Sequence, residues 1–531
     1  MMPRLTPLAL LLALAAPVAA QKRAGAPLPK VEEVSLAEVS AMLASGRATS
    51  ASLTRAYLAR IAAMDRAGPK LRSVIAVNPD ALAQARALDA ERRAGRVRGP
   101  LHGVPILIKD NIETKDPVAT TAGSLALKDN VTNRDAPVVA LLREAGAVIL
   151  GKTNLSEWAN IRSSDSMSGW SAVGGLVRNP YALDRSSCGS SSGSGASIAA
   201  SFAAASLGTE TDGSVVCPAA MNGLVGLKPT IGLVSRTHVV PISHSQDTPG
   251  PMTRSVRDAA MLFSGMVGSD PADAVTKDAD RAKRDYAAGL SADWLRGKRI
   301  AVVRPTMSPD LERRFDAALA VLRAGGATLV TVKPERPPGL GDAEFTVLKA
   351  ELKADLNSYL ASTPAAVKTR TLADVIAFNT ANAATEMPFF GQDTFIDAQK
   401  MGPLTDQSYK DARAKSLGGA TGVLTAMLTE ARADVIVQPT YGAPWLSDPV
   451  HGDQSSGASA SGLPAIAGWP HLTVPMGLLD GLPVGLSFIG RPLSEATLFN
   501  AGYAFEQRAR ARVKPGYAPT VVAGAGVEGT R

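Results

Sequence analysis

Gly103-Val104-Pro105-Ile106-Leu107-Ile108-Lys109 is an unbroken apolar run that ends on a lysine. Such a run predicts a strand buried on both faces. Residues 137–144 then read as a helix closed by Gly146, and residues 147–150 as the next strand. Strand, helix and strand in that order predict an α/β fold with a parallel sheet and right-handed crossovers.

The pattern extends in both directions. Upstream, Thr49 or Ser50 can cap a helix carrying Leu53, Tyr57, Leu58, Ile61 and Met64, and Asp80 opens another that stops near Gly95. Downstream, a small-residue helix is predicted over 194–205, directly out of a Gly/Ser loop, with a strand-like stretch over 206–210. The composition turns polar and charged over 268–295, which marks an excursion from the core. A strand over 299–303, a helix over 309–324 and a strand over 328–332 follow. Helical spacing covers 345–360, 372–384 and 411–433, and strands are predicted at 435–437, 472–474 and 484–489. No internal repeat is present, and the Gly/Ala-rich tail 516–531 is expected to be loose.

Composition narrows the function. The 531 residues are 45% hydrophobic and 20% charged, as expected of a core-forming globular protein. The net charge of +8 is scattered rather than striped, which argues against a nucleic-acid partner. Arg4, an apolar stretch over 5–16 and Val18-Ala19-Ala20 before Gln21 read as a secretory signal peptide over 1–20, cleaved near Ala20. A periplasmic or secreted protein is expected, with no membrane segment after cleavage. Such a compartment permits a disulfide between Cys188 and Cys217, although two small buried thiols are the favoured expectation. No metal-ligand spacing is found and no cofactor is expected.

The chemistry concentrates in two serine-rich segments. Gly189-Ser190-Ser191-Ser192-Gly193-Ser194-Gly195 runs into a helix N-terminus, where free N–H groups favour a developing anion. Thr209-Glu210-Thr211-Asp212-Gly213-Ser214 is a tight turn after a strand, which by itself is more often an ordinary β-turn. A serine is a weak nucleophile until a base takes its proton. The chain holds only five histidines, so Lys109, emerging from a buried strand end, is the candidate base. On position alone, an ion pair with Asp110 is the plainer role for it. Gly189-Ser190-Ser191-Ser192-Gly193 also matches the nucleophile elbow of α/β-hydrolases, with Ser191 central and His451 or His471 as the nominal histidine.

Together these pieces resemble the amidase signature family. The match runs through Gly103 to Ile112, Gly151-Lys152-Thr153-Asn154, Cys188-Gly189-Ser190-Ser191-Ser192-Gly193-Ser194 and Gly208-Thr209-Glu210-Thr211-Asp212-Gly213-Ser214. It continues through Gly223-Leu224-Val225-Gly226-Leu227-Lys228-Pro229-Thr230 and Asp247-Thr248-Pro249-Gly250-Pro251-Met252. Within the family the forms of both serine segments are similar to those of bacterial peptide amidases.

The resemblance implies one large amidase-signature domain over 21–515, with its core at 95–260 and 434–510 and a variable helical part at 268–432. Its central sheet would be mixed, mostly parallel and covered by helices on both faces. It further implies a Ser–Ser–Lys triad of Ser214 as nucleophile, Ser190 as bridge behind a cis peptide bond from Gly189, and Lys109 as base. Backbone N–H groups of Thr211, Asp212, Gly213 and Ser214 would form the oxyanion hole, with Gly189 and Ser191 in support. Asp212 stands where the commoner pattern has glycine. The expected substrate is a small or peptide carboxamide, with segments 374–392 and 455–469 shaping its pocket, and the expected state is a monomer or homodimer. The alternatives are a glutamine amidase like the A component of the tRNA-dependent amidotransferases, or a non-catalytic binding protein on the same scaffold.

Overall fold

The computed structural model describes residues 27–455 and 457–521. The signal segment 1–20 and residues 522–531 of the tail therefore lie outside the described residues. Eleven strands form one sheet. In chain order they are β1 Val74–Val77, β2 Pro105–Lys109, β3 Val148–Thr153, β4 Ala205–Glu210, β5 Val225–Lys228 and β6 Thr248–Thr253. The remaining strands are β7 Arg299–Val303, β8 Thr328–Val332, β9 Val435–Pro439, β10 His471–Leu479 and β11 Leu482–Gly490. They lie side by side in the order β1-β3-β2-β4-β6-β5-β10-β11-β9-β7-β8.

The sheet is mixed, but it is not mostly parallel. Parallel pairing is confined to β3–β2, β2–β4, β9–β7 and β7–β8. The other six pairings are antiparallel and occupy one edge and the whole centre. The reason lies in short-range connections that the βαβ pattern does not foretell. Asp480 and Gly481 both adopt positive φ, 47° and 81°, between β10 and β11. That two-residue turn matches the right-handed twist of an antiparallel hairpin. β6 enters between β4 and β5 although its sequence, Thr-Pro-Gly-Pro-Met-Thr, is poor strand material.

Flanking helices form where capping and apolar spacing coincide. Thr49 caps the helix Ser50–Met64 reciprocally with Ser52, which buries Leu53, Tyr57 and Ile61. The helix expected over 194–205 is shorter, Ser192–Ala199, because the chain must turn at Ser201 (φ 60°) to pair Ala205 with Ile106 of β2. The part between 268 and 432 is not only helical. Its strands β7 and β8 complete the main sheet, while the helices Leu340–Ala361, Leu372–Ala381 and Asp393–Gln399 enclose a separate apolar cluster around Leu356, Leu372 and Phe395. The tail is docked as far as it is described. Tyr517 N–H donates to Pro180 O at 2.9 Å, and Ala518 O accepts from Leu183 N–H at 2.9 Å.

One close approach positions the Gly/Ser helix. A Cβ on Gly193 would lie 2.3 Å from Ser73 O and 2.4 Å from Asn154 O, so only glycine lets this helix seat on the strand ends beneath it. Gly193→Ala should destabilise the fold by about 1–3 kcal/mol through overpacking. Urea unfolding should then show a lower midpoint at unchanged slope. An unchanged midpoint would mean that the helix shifts without cost.

Candidate active site

Lys109 closes β2, a strand paired on both sides by β3 and β4, and its side chain is fully buried. It does not pair with Asp110. That carboxylate accepts from Thr121 N–H at 3.1 Å and lies 3.6 Å from Lys152 Nζ. Lys109 Nζ instead lies 2.8 Å from Ser190 Oγ, 2.8 Å from Thr209 Oγ1 and 3.3 Å from Thr209 O. Asn111 Nδ2 donates to the same Thr209 hydroxyl at 3.0 Å. Burial pushes the Lys109 ammonium down to about 7, with the buried carboxylates of Asp247 and Glu210 opposing the shift. Lys109 is thus a lysine that can be neutral near physiological pH.

The Gly/Ser loop brings Ser190 to this lysine through a cis Gly189–Ser190 peptide bond. Ser190 O accepts from Ser156 N–H at 3.0 Å. Ser191 has a different task. Its Oγ donates to Thr209 O at 3.1 Å and accepts from Thr209 N–H at 3.2 Å, and its N–H donates to Ser214 O at 3.1 Å. Ser191 therefore stitches the Gly/Ser loop to β4 and to the Ser214 turn. The elbow alternative has no support among the described residues, because the Ser191 hydroxyl is engaged with Thr209 on both sides and neither His451 nor His471 is among its partners.

Ser214 sits in the turn between β4 and the helix Val216–Met221. Glu210 holds this turn, its carboxylate accepting from Val215 N–H at 2.8 Å and Val216 N–H at 2.9 Å. Thr211 Oγ1 donates to Asp247 Oδ1 at 2.5 Å, and Asp247 in turn accepts from the N–H groups of Ile242 and Ser243 at 2.8 and 2.9 Å. Gly213 has φ 82°, and a Cβ there would lie 2.3 Å from Tyr441 Oη. With the turn anchored by these side chains, the N–H groups of Thr211, Asp212, Gly213 and Ser214 donate to no other described residue. Ser214 Oγ likewise makes no hydrogen bond within the described residues, and the residue opens into a cavity.

That cavity encloses about 240 Å³ and is lined by Asn160, Ser168, Ile242, Leu348, Tyr441 and Trp445 around Ser214 and Asp212. Asp212 lines this cavity, and desolvation there holds its carboxyl above the usual carboxylate range, with Ser461, Arg336 and Lys228 opposing the shift. Of the segments expected to shape the pocket, 455–469 contributes Ser455, whereas 374–392 contributes no lining residue among those described. A larger cavity of about 910 Å³ opens between Leu101, Met261 and Lys283 and is lined by none of the residues named above.

Cys188 and Cys217 are not free thiols; they form a disulfide with Cα atoms 5.9 Å apart, and both line the smaller cavity. The two serine segments converge, which brings their neighbouring cysteines within bridging distance. Sequence reasoning also missed Thr209, Asn111 and Asp247 as members of this network. All three fall inside the quoted motifs, but nothing in one dimension shows that they meet. Among groups able to ligate a metal, His244, Glu351 and Asp355 gather within 4.8 Å. The imidazole presents Nδ1 to Asp355 at 2.9 Å and Nε2 to Glu351 at 3.4 Å. The imidazole thus has one carboxylate at each ring nitrogen, and the Asp355 contact pushes its pKa above the ordinary value.

Known proteins share this sequence pattern and fold. The amidase family model matches residues 52–499. The structure of native peptide amidase from Stenotrophomonas maltophilia superposes with a TM-score of 0.86 at 48% identity, covering 91% of this chain and 99% of that one. A probable amidase of Arabidopsis thaliana is 39% identical over 91% of this chain and 92% of its own length. The A component of the glutamyl-tRNA(Gln) amidotransferase of Roseiflexus castenholzii is 36% identical over 90% of this chain and 96% of its own. This chain belongs to the amidase family and is an enzyme that hydrolyses carbon–nitrogen amide bonds.

Proposed function

We propose that the enzyme is an exported amidase that converts a carboxamide, chiefly a peptide C-terminal amide, to carboxylate and ammonia through a Ser214–Ser190–Lys109 triad. The observation that carries this reading is a buried lysine with a depressed pKa lying 2.8 Å from Ser190 Oγ. Neutral Lys109 accepts the Ser190 proton while Ser190 accepts that of Ser214, whose Oγ attacks the amide carbonyl. The carbonyl oxygen, now an oxyanion, is met by the unengaged N–H groups of Thr211 to Ser214, each such donor being worth about 2.7–4 kcal/mol. The relay returns its proton to the departing nitrogen, the carbon–nitrogen bond breaks, and ammonia leaves. Water then enters by the same relay and releases the carboxylate and free Ser214.

The choice of peptide amides rests on the similarity to the Stenotrophomonas peptide amidase. The similarity to the amidotransferase A component favours a second reading, glutamine amide hydrolysis in the service of a partner protein. Export speaks against it: residues 1–20 have the form of a signal peptide, and a disulfide suits an oxidising compartment.

An ammonia-release panel of peptide, aryl and aliphatic amides tests the reaction. Ser214→Ala should lower turnover by about 10³-fold or more, while Ser191→Ala should lose less and show its effect as reduced stability. The reverse order would restore the elbow reading. The pH profile follows from the Lys109 shift. Below about 7 the lysine is an ammonium without a lone pair, so kcat/KM should rise through a limb near pH 7 and then level off. Asp247→Asn removes the stronger of the two charges opposing that shift, so its limb should move to lower pH. A limb that Asp247→Asn leaves in place would count against Lys109 as the base, and a limb near 10 that the substitution still moves would mean that burial does not depress it. Finally, protein recovered from the producing cell should begin at Gln21 in N-terminal sequencing, and a chain that keeps Arg4 would refute export by cleavage.

A further inference from the structure

The bridge between Cys188 and Cys217 stands at an unusual place. Cys188 comes two residues before Ser190 and immediately before the Gly189–Ser190 bond, with φ 55°. Cys217 comes three residues after Ser214, in the first turn of the helix Val216–Met221, where its N–H donates to Gly213 O at 2.8 Å. The bridge therefore joins the loop carrying Ser190 directly to the turn carrying Ser214.

Other ties between these two segments gather at the far end of that short helix. Asn222 Nδ2 donates to Ser187 O at 3.1 Å, and Asn179 Nδ2 donates to both Ser186 O at 3.0 Å and Met221 O at 2.9 Å. Near the serines themselves the direct link is the Ser191 N–H to Ser214 O bond. The asparagines fix one end of the helix, and the disulfide fixes the end that presents Ser214. Both cysteines also form part of the substrate cavity wall, where Tyr441 and Trp445 pack against them.

We infer that the Cys188–Cys217 disulfide is a positioning element of the acylation step, holding Ser190 and Ser214 in register, and that a small dithiol entering the substrate cavity can open it without unfolding the enzyme. The inference rests on the Ser214–Ser190–Lys109 reading above. The chemistry is ordinary thiol–disulfide exchange. A thiolate of the dithiol attacks Cys188 Sγ and expels the Cys217 thiolate, giving a mixed disulfide. The second thiol then displaces Cys188 and closes a cyclic disulfide. Two electrons and two protons pass from the dithiol to the cysteines, and no other reactant is needed.

Reduction removes the constraint from the reacting atoms and leaves the part of the cavity wall away from the bridge, such as Ile242 and Leu348, in place. A misplacement of about 1 Å at reacting groups costs on the order of 10²-fold in rate. Dithiothreitol-treated wild type should therefore lose about 10- to 100-fold in kcat. KM should change less than kcat, within about threefold, because most of the cavity wall keeps its place. Mass spectrometry should count two free thiols, circular dichroism should be unchanged, and air reoxidation should restore the rate. Cys188→Ser/Cys217→Ser should start at the reduced rate and ignore the dithiol. If this double variant does not fold, the treated wild type alone decides. Full activity with two free thiols, or activity lost only in step with the dichroism signal, would overturn the inference and leave the bridge a plain staple. A wild type that turns over no amide in the panel would overturn the functional reading and this inference with it.

Discussion

Removing Lys109 from water without a contacting counter-ion is the constraint around which the site is arranged. A buried ammonium is costly unless paired, and the energy is relieved by release of its proton. The neighbouring acid, Asp110, is turned away to Thr121 and Lys152, so it does not hold the charge on Lys109. The groups that do touch Nζ are a serine and a threonine hydroxyl and a backbone carbonyl. All are neutral. The carboxylates of Asp247 and Glu210 act from a distance, and both are engaged in holding the Ser214 turn through Thr211, Val215 and Val216. The same acids thus temper the lysine and shape the turn it serves.

Such a lysine needs a sheet to bury it and loops that can reach it. β2 lies between two parallel neighbours, so the lysine at its C-terminal end is covered on both sides by backbone. The loops that follow β4 and precede the helix Ser192–Ala199 rise at the same end. Their approach is close because glycine and serine dominate them, and Gly193 allows the helix to rest directly on Asn154 and Ser73. Local small-residue composition, backbone contact and the placement of Ser190 are therefore one causal chain.

Much of the α/β framework is legible in one dimension. The helix Pro137–Glu144 and the strands Arg299–Val303 and Thr328–Val332 fall where apolar spacing and caps predict them. Local pattern fails where tertiary context outweighs it. β6 contains two prolines and a glycine and has little strand preference of its own, yet Gly250 must approach Leu227 O more closely than any side chain allows. The Asp480-Gly481 pair between two apolar stretches is a local hairpin signal that a strand–helix–strand reading passes over, and the antiparallel centre of the sheet is passed over with it. The helix expected over 194–205 ends early because small residues carry no signal for where pairing with β2 must begin.

By itself the sequence determined which chemical groups were available: a lysine ending a buried strand, two serine-rich turns, few histidines and two cysteines flanking the serines. These follow from residue identity and local pattern, which the chain order carries. Tertiary structure alone decided what those groups do to one another. Lys109 meets Ser190 across 81 residues and Thr209 across 100, in preference to the acid beside it. The cysteines close a bridge, and Ser191 becomes a stitch between the Gly/Ser loop and β4. The physical reason is that desolvation and hydrogen-bond partnership belong to contacts between distant segments, and both arise only when the sheet brings those segments to one end.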